Sequence, residues 1–144
     1  MVVVVLQNPK YLNNLAATKR ACASFGVEHL VYTGDRLDWN VERIPRELRM
    51  KDYNLVQLKN HGRPFDLFSK LTPVCIELVQ GSESLPAFKH PEDALYVFGP
   101  EDGSVSQVFR RLCHRFVSVP SKHCLNLAAT VNIVLYDRIS KGDF

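Results

Sequence analysis

An α/β domain built on a mainly parallel sheet, with helices on both faces, is what this sequence predicts, and three observations predict it. Short β-branched or apolar runs recur at Val2–Leu6, Leu30–Tyr32, Leu55–Leu58, Val74–Val79, Leu95–Phe98 and Phe116–Val119. They are continuously apolar rather than alternating, the pattern of strands covered on both sides. Helical patterns lie between several of them, and no internal repeat, low-complexity tract or long linker divides the chain, so residues 1–144 are expected to form one domain.

Taken in order, the run Val2–Leu6 is too short to cross a bilayer and lacks the basic flank and cleavage site of a signal peptide, so it reads as a buried strand. Asn14–Phe25 carries Leu15, Thr18, Ala21, Cys22 and Phe25 on one helical stripe, and Gly26 follows as a C-terminal stop, which completes a β-α-β unit with Leu30–Tyr32. The stretch Gly34–Tyr53 is the least regular, with Pro45 and alternating charges, and reads as a surface excursion. Ser104–Leu112 places Val105, Val108, Phe109 and Leu112 at helical spacing. A last helix is expected over Leu125–Ile139. Leu125, Ala128, Ala129, Ile133 and Tyr136 form one apolar face of it, and Leu127, Val131, Val134 and Leu135 another. A helix with protein on two sides is more than a monomer of this size would cover.

Composition narrows the class. Apolar residues make up 46% and charged residues 23% of the 144, an ordinary globular mix. The net charge of +3 is a mild bias towards anionic partners, far from the excess of a dedicated nucleic-acid-binding tail. Cysteines 22, 75, 113 and 124 form no CxxC pair, which argues against a disulfide framework and a zinc site. No metal and no membrane association are expected, and a reducing, cytoplasmic setting fits.

Three segments couple a strand end to a helix start, where backbone N–H groups, a helix dipole and a few polar side chains form a cradle for a polar ligand. They are Asn8–Asn14 running on to Arg20, Phe98–Gly103, and Val119-Pro120 followed by Cys124–Ala128. Singly each is weak: a Gly-Pro pair is commonly a turn, Asn14 and Asn126 could be helix caps, and Arg20 a solvated charge. Neither a GxGxxG nor a GxxxxGK[ST] phosphate loop is present, which disfavours an unrelated nucleotide-binding protein. Cys124 beside His123 could be a thiol nucleophile, but adjacent residues at a helix start rarely face each other.

Order and spacing add more. Asn14-Leu15-Ala16-Ala17-Thr18-Lys19-Arg20, with Asn followed six positions later by Arg and then Ser24-Phe25-Gly26, resembles the first motif of the TrmH-like, or SpoU, RNA ribose methyltransferases. Phe98-Gly99-Pro100-Glu101-Asp102 resembles their second motif. Cys124-Leu125-Asn126-Leu127-Ala128, with Leu135-Tyr136-Asp137, resembles their third. The chain departs from the pattern at Gly103, one position early, in its short loop between Pro120 and Asn126, and at Cys124, where serine is usual.

That resemblance implies a SPOUT, or α/β-knot, fold with a C-terminal deep trefoil knot, an architecture that periodicity would not have indicated. It implies bound S-adenosyl-L-methionine, held by the backbone near Leu78, Val79, Gly81, Gly99, Val119, Cys124 and Leu125. A homodimer is implied, with the family arginine acting across its interface, and methylation of a ribose 2′-hydroxyl in RNA, with tRNA favoured and ribosomal RNA the alternative. Another alternative is a non-catalytic member that binds cofactor or RNA only. Carried over by position, Arg20 anchors a substrate phosphate or assists proton removal, Asn14 orients Arg20 or the ribose, Glu101 fixes the second-motif loop by accepting backbone N–H bonds, and Asn126 ties the knot loop to the last helix. An arginine is almost always protonated, so the identity of the proton acceptor stays open. Lys10, Arg110 and Lys122 near the rim are expected phosphate contacts. Arg36, Arg43, Arg46, Arg49 and Lys51, interleaved with Trp39 and Tyr53, could grip RNA, or could be a solvated loop with Trp39 in the core.

Overall fold

A computed structural model describes residues 1–49 and 55–142 of the chain. Strand β1 (Val2–Leu6) leads into helix α1 (Leu12–Ser24), β2 (His29–Tyr32), a 3₁₀ turn at Arg46–Leu48, β3 (Gln57–Asn60), the short α2 (Pro64–Leu67), β4 (Thr72–Ile76), β5 (Glu83–Ser84) and a second 3₁₀ turn at Leu85–Ala87. Then follow β6 (Ala94–Phe98), α3 (Gln107–Leu112), β7 (Arg115–Ser118) and α4 (Leu127–Lys141). All pairings are parallel, in a seven-stranded sheet of order β3-β2-β1-β6-β4-β7-β5.

The continuous apolar runs have the expected cause. Alternate residues of the central strands feed two separate cores: Val4, Leu6, Leu30, Tyr96 and Phe98 pack with α1 and α4, while Val3, Val5, Val31, Leu95 and Val97 pack with Phe65, Phe68 and Phe109 from the α2 and α3 side. Val3, Val4, Val5 and Leu6 are fully buried, a burial that stabilises the fold by roughly 1.5–3 kcal/mol per side chain. Pro73 is tolerated in β4 because the N–H of Thr72 bonds Asp93 on the β6 side. The Pro73 nitrogen then faces β7, one position before that ladder opens at Val74–Arg115.

Several boundaries differ from the sequence reading. β3 begins at Gln57 and leaves Leu55 84% exposed, and β4 starts and ends earlier, leaving Leu78 83% exposed beyond the strand. In α3 the hydroxyl of Ser106 accepts the Phe109 N–H and so starts the helix at Gln107. Val105 therefore lies outside it, buried in the sheet core, and Val108 faces solvent. α4 starts at Leu127, with Asn126 as its N-cap and Gly142 in the left-handed conformation as its stop. Its inward face is Leu127, Ala128, Val131, Val134 and Leu135. Ile133, Tyr136 and Ile139 lie exposed on the outside.

Helices do lie on both faces of a parallel sheet, as expected. One feature goes beyond an ordinary α/β layer order: β7 sits between β4 and β5, strands that are neighbours in the chain. The 77–82 connection must pass across the end of β7, the strand placement on which the expected threading of the C-terminal segment depends.

Candidate active site

The carboxyl ends of β1, β6, β4 and β7 meet at one rim. There a cleft of about 710 Å³ opens, walled by Ile76–Leu78 after β4, Phe98–Glu101 after β6, and Ser118–Leu125 after β7, with Leu127 and Thr130 of α4 at its base. Such a site at strand ends, part apolar and part polar, is the usual place for a small-molecule ligand in open α/β sheets.

A hydrogen-bond chain joins the three sequence motifs beside the cleft. Glu101 accepts the Lys10 N–H at 2.8 Å on one oxygen, and the Tyr11 N–H and the Asn14 side-chain amide, both at 3.0 Å, on the other. The Asn14 side-chain oxygen Oδ1 in turn accepts from the Asn126 amide at 3.1 Å, and the Asn126 Oδ1 accepts the Ala129 N–H at 3.1 Å. α1 has no acidic residue in its first turn and no side chain of its own capping it. Glu101 supplies the missing anion from another loop, where the helix dipole favours it. Burial pushes the Glu101 carboxyl up, but the Asn14 amide and the backbone N–H groups outweigh it and hold it below its ordinary value. Glu101 thus fixes the β1–α1 loop, rather than only the loop it belongs to.

Of the other sequence-derived positions, Leu78, Gly99, Val119, Cys124, Leu125 and Lys122 line the cleft, whereas Val79 and Gly81 do not. Gly81 occupies the left-handed turn ahead of β5. Gly99 is a glycine for a local reason: an added Cβ would come within 2.7 Å of the Val105 nitrogen. Arg110 is half-buried on α3, 3.5 Å from the Glu77 carboxylate. Lys10 is exposed, its ammonium 5.4 Å from the centre of the Tyr11 ring. Arg20 is exposed on α1, outside the cleft wall of its own chain, and makes no ion pair among the described residues. Trp39 is exposed rather than tucked into the core, and Lys51 and Tyr53 lie outside the described residues. Among the described residues, Cys22, Cys75 and Cys113 are buried free thiols and Cys124 an exposed one.

Some of the site escaped sequence reading. Glu77 lines the cleft and accepts the Val105 N–H at 3.1 Å, which anchors the start of α3 to the end of β4. The Gln7 side-chain amide makes a reciprocal pair with Ser106, donating to its hydroxyl at 2.7 Å and accepting its N–H at 2.8 Å. Arg36 grips Asp102. Only their position directly after a strand, or directly after Glu101, could have flagged them.

A parallel sheet with β7 inserted between β4 and β5 thus carries a strand-end cleft bordered by the β6 and β7 loops. Residues 1–136 match the model of the SpoU rRNA methylase family, and the chain belongs to that family. No curated protein sequence matches it. Among solved structures, the SpoU methyltransferase AviRb from Streptomyces viridochromogenes superimposes with a TM-score of 0.81 at 19% identity, over 98% of this chain and 61% of AviRb. The TrmH/SpoU tRNA modifying enzyme of A. aeolicus gives 0.80 at 20%, over 99% of this chain and 77% of that one. An AdoMet-bound rRNA methyltransferase from Sinorhizobium meliloti gives 0.81 at 16%, over 97% and 56%. The chain thus spans about three fifths of AviRb, and these likenesses establish a common fold.

Proposed function

We propose that this protein binds S-adenosyl-L-methionine in the strand-end cleft and, as a homodimer, transfers a methyl group to a ribose 2′-hydroxyl of RNA, with tRNA the favoured substrate and the cytoplasm the setting. The observation that carries the reading is the Glu101–Asn14–Asn126 hydrogen-bond chain, which draws all three family motifs to the mouth of one cleft. Its 710 Å³ lies within the roughly 300–1,000 Å³ of small-molecule sites. Its lining suits the group: Ile76, Leu78, Leu125 and Leu127 offer apolar surface to a nucleoside, and Glu77 and Glu101 offer negative charge to a ligand with a sulfonium and an ammonium. When bound, the cofactor supplies an electrophilic methyl group.

The chain's own residues position the acceptor. Arg20, without an ionic partner among the described residues, would hold an RNA phosphate and stabilise the developing alkoxide across a dimer interface. Lys122 at the cleft wall and exposed Lys10 would neutralise neighbouring phosphates. The exposed apolar side chains of α4, Tyr136 at 63% and Ile139 at 50%, with Ile133, support a second copy packing there.

The test is mass spectrometry of nucleosides from tRNA and ribosomal RNA incubated with protein and isotopically labelled cofactor. A labelled 2′-O-methylnucleoside is expected, and Arg20→Ala should reduce its formation by about 10²- to 10⁴-fold while cofactor binding by calorimetry persists. A base-methylated product refutes the ribose assignment, and label in ribosomal RNA alone refutes the tRNA preference.

A further inference from the structure

We infer that Arg36 is a positioning residue for the cleft, a brace from the β2 end that holds the two loops carrying the Lys10–Glu101 and Asn14–Glu101 bonds. This rests on the methyltransferase reading above for its consequence, but its geometry stands alone. The Arg36 guanidinium donates to both oxygens of Asp102, each at 2.9 Å, and one of the same nitrogens donates to the Asn8 carbonyl at 2.7 Å. One side chain thereby joins the β1–α1 loop to the β6–α3 loop from outside the cleft wall.

The neighbouring backbone is built to hold the brace in place. Asn8 has a positive φ of 51°, and its N–H donates to the Thr33 hydroxyl at 2.9 Å. Gly34 packs so closely that an added Cβ would meet the Asn8 side-chain oxygen at 2.2 Å, and its carbonyl accepts from the Asn60 amide of β3 at 2.9 Å. The consecutive carboxylates of Glu101 and Asp102 are therefore held by different partners: Glu101 by the α1 start, Asp102 by the β2 end. The turn between them forms the cleft wall at Gly99–Glu101 and Gly103. The hydrogen bonds from Arg36 also hold the Asp102 carboxyl down to about 2, so the pair stays ionised across the working pH range of most enzymes. Neither Arg36 nor Asp102 lines the cleft, so any effect on the ligand passes through the position of Glu101 and Gly99.

A half-exposed ion pair adds little to global stability, and a planar two-pronged contact is not reproduced by lysine. Two measurements on the whole chain test the brace: amide hydrogen exchange at Lys10 and Tyr11, and S-adenosylmethionine affinity by calorimetry. Arg36→Ala and Asp102→Asn should each speed exchange at those two amides and weaken binding by about tenfold, with an unchanged unfolding midpoint. The double variant should be no worse than Arg36→Ala alone, because that substitution already removes the contact that Asp102→Asn weakens. Arg36→Lys should recover only part of the loss. Unchanged exchange at Lys10 and Tyr11 overturns the brace whether or not the wild-type chain binds cofactor. Additive effects of the two substitutions, or affinity lost only in step with the unfolding midpoint, overturn it as well. A wild-type chain that binds no cofactor overturns the methyltransferase reading, while the exchange rates still decide for or against the brace.

Discussion

The two ends of α4 hold the same sheet by opposite means. At its start, by the cleft, the polar contacts are few, partly exposed and shared between loops: Asn126 reaches Asn14, which reaches Glu101. At its far end, beside the amino end of β6, they are dense and centred on the buried His90, Tyr96 and Arg138. Arg138 donates to the Glu92 carbonyl at 2.6 Å and to the Tyr96 hydroxyl at 3.0 Å, and also to the Pro91 carbonyl. His90 sits between that same hydroxyl and Asp137, at 2.7 Å from each, and Lys141 reaches Asp137 and the carbonyls of Leu85 and Phe88. A network with a buried centre and every member bonded anchors the helix in one orientation. The cleft end keeps polar groups that a ligand can still engage, and it can do so because rigidity comes from the other end.

The largest expected effect breaks the anchored end. Arg138→Met keeps the apolar stem but removes the donors that serve Pro91, Glu92 and Tyr96, and should cost roughly 2–4 kcal/mol in urea unfolding. Cofactor affinity of the folded fraction should stay within twofold of wild type. A variant that unfolds as easily as this but also binds cofactor tenfold more weakly would show that the two ends are one cooperative unit, and the contrast would fall.

A smaller effect tests the cleft end. Asn126→Ala removes the α4 cap and the bond to Asn14 together, and should cost about 1 kcal/mol of stability. Asn126→Asp keeps the capping oxygen, so stability should return almost to wild type. It has no amide to donate to Asn14, however, and methyl transfer should remain depressed. If Asp restores activity as well as stability, the Asn126–Asn14 bond has no part in the reaction.

What was legible in the sequence follows the same division. The inward stripe of α1 was readable because burial of Leu15, Ala21 and Cys22 at helical spacing is a local signal. So were β1 and β6, as unbroken apolar runs. Asn126 was readable as a possible cap because capping acts over three residues. The α3 start was missed because Ser106 is a better N-cap in context than Ser104, its hydroxyl also meeting Gln7 at the end of β1. The insertion of β7 between β4 and β5 leaves no trace in periodicity, which reports which face of a strand is buried and not which strand lies beside it. Arg36, Arg138 and Glu77 were illegible for a related reason. Each answers a partner dozens of residues away, and a charged residue with a distant partner has the same local pattern as one in water.

The smallest expected effect concerns pH and sharpens the comparison from the buried side. Burial holds the His90 imidazole below its ordinary value of 6.5, against the pull of Asp137, with Lys141 and Arg138 lowering it further. Above pH 6.5 both folded and unfolded chains carry a neutral His90, and the network contributes its full stability. As the pH falls below that value, the unfolded chain takes up the proton before the folded one does. Stability therefore drops until His90 itself is protonated in place. The unfolding midpoint in urea should be lower at pH 5 than at pH 7.5, and His90→Gln, neutral throughout, should flatten that dependence even if it lowers the midpoint overall. The Glu101 carboxylate shifts the other way, because its hydrogen-bond donors favour the charged form, so its stabilising role fades only at more acidic pH. An acid-induced loss of stability near neutrality that survives His90→Gln would mean that the pH-sensitive group is not in the anchored end, and the division of labour along α4 would need to be redrawn.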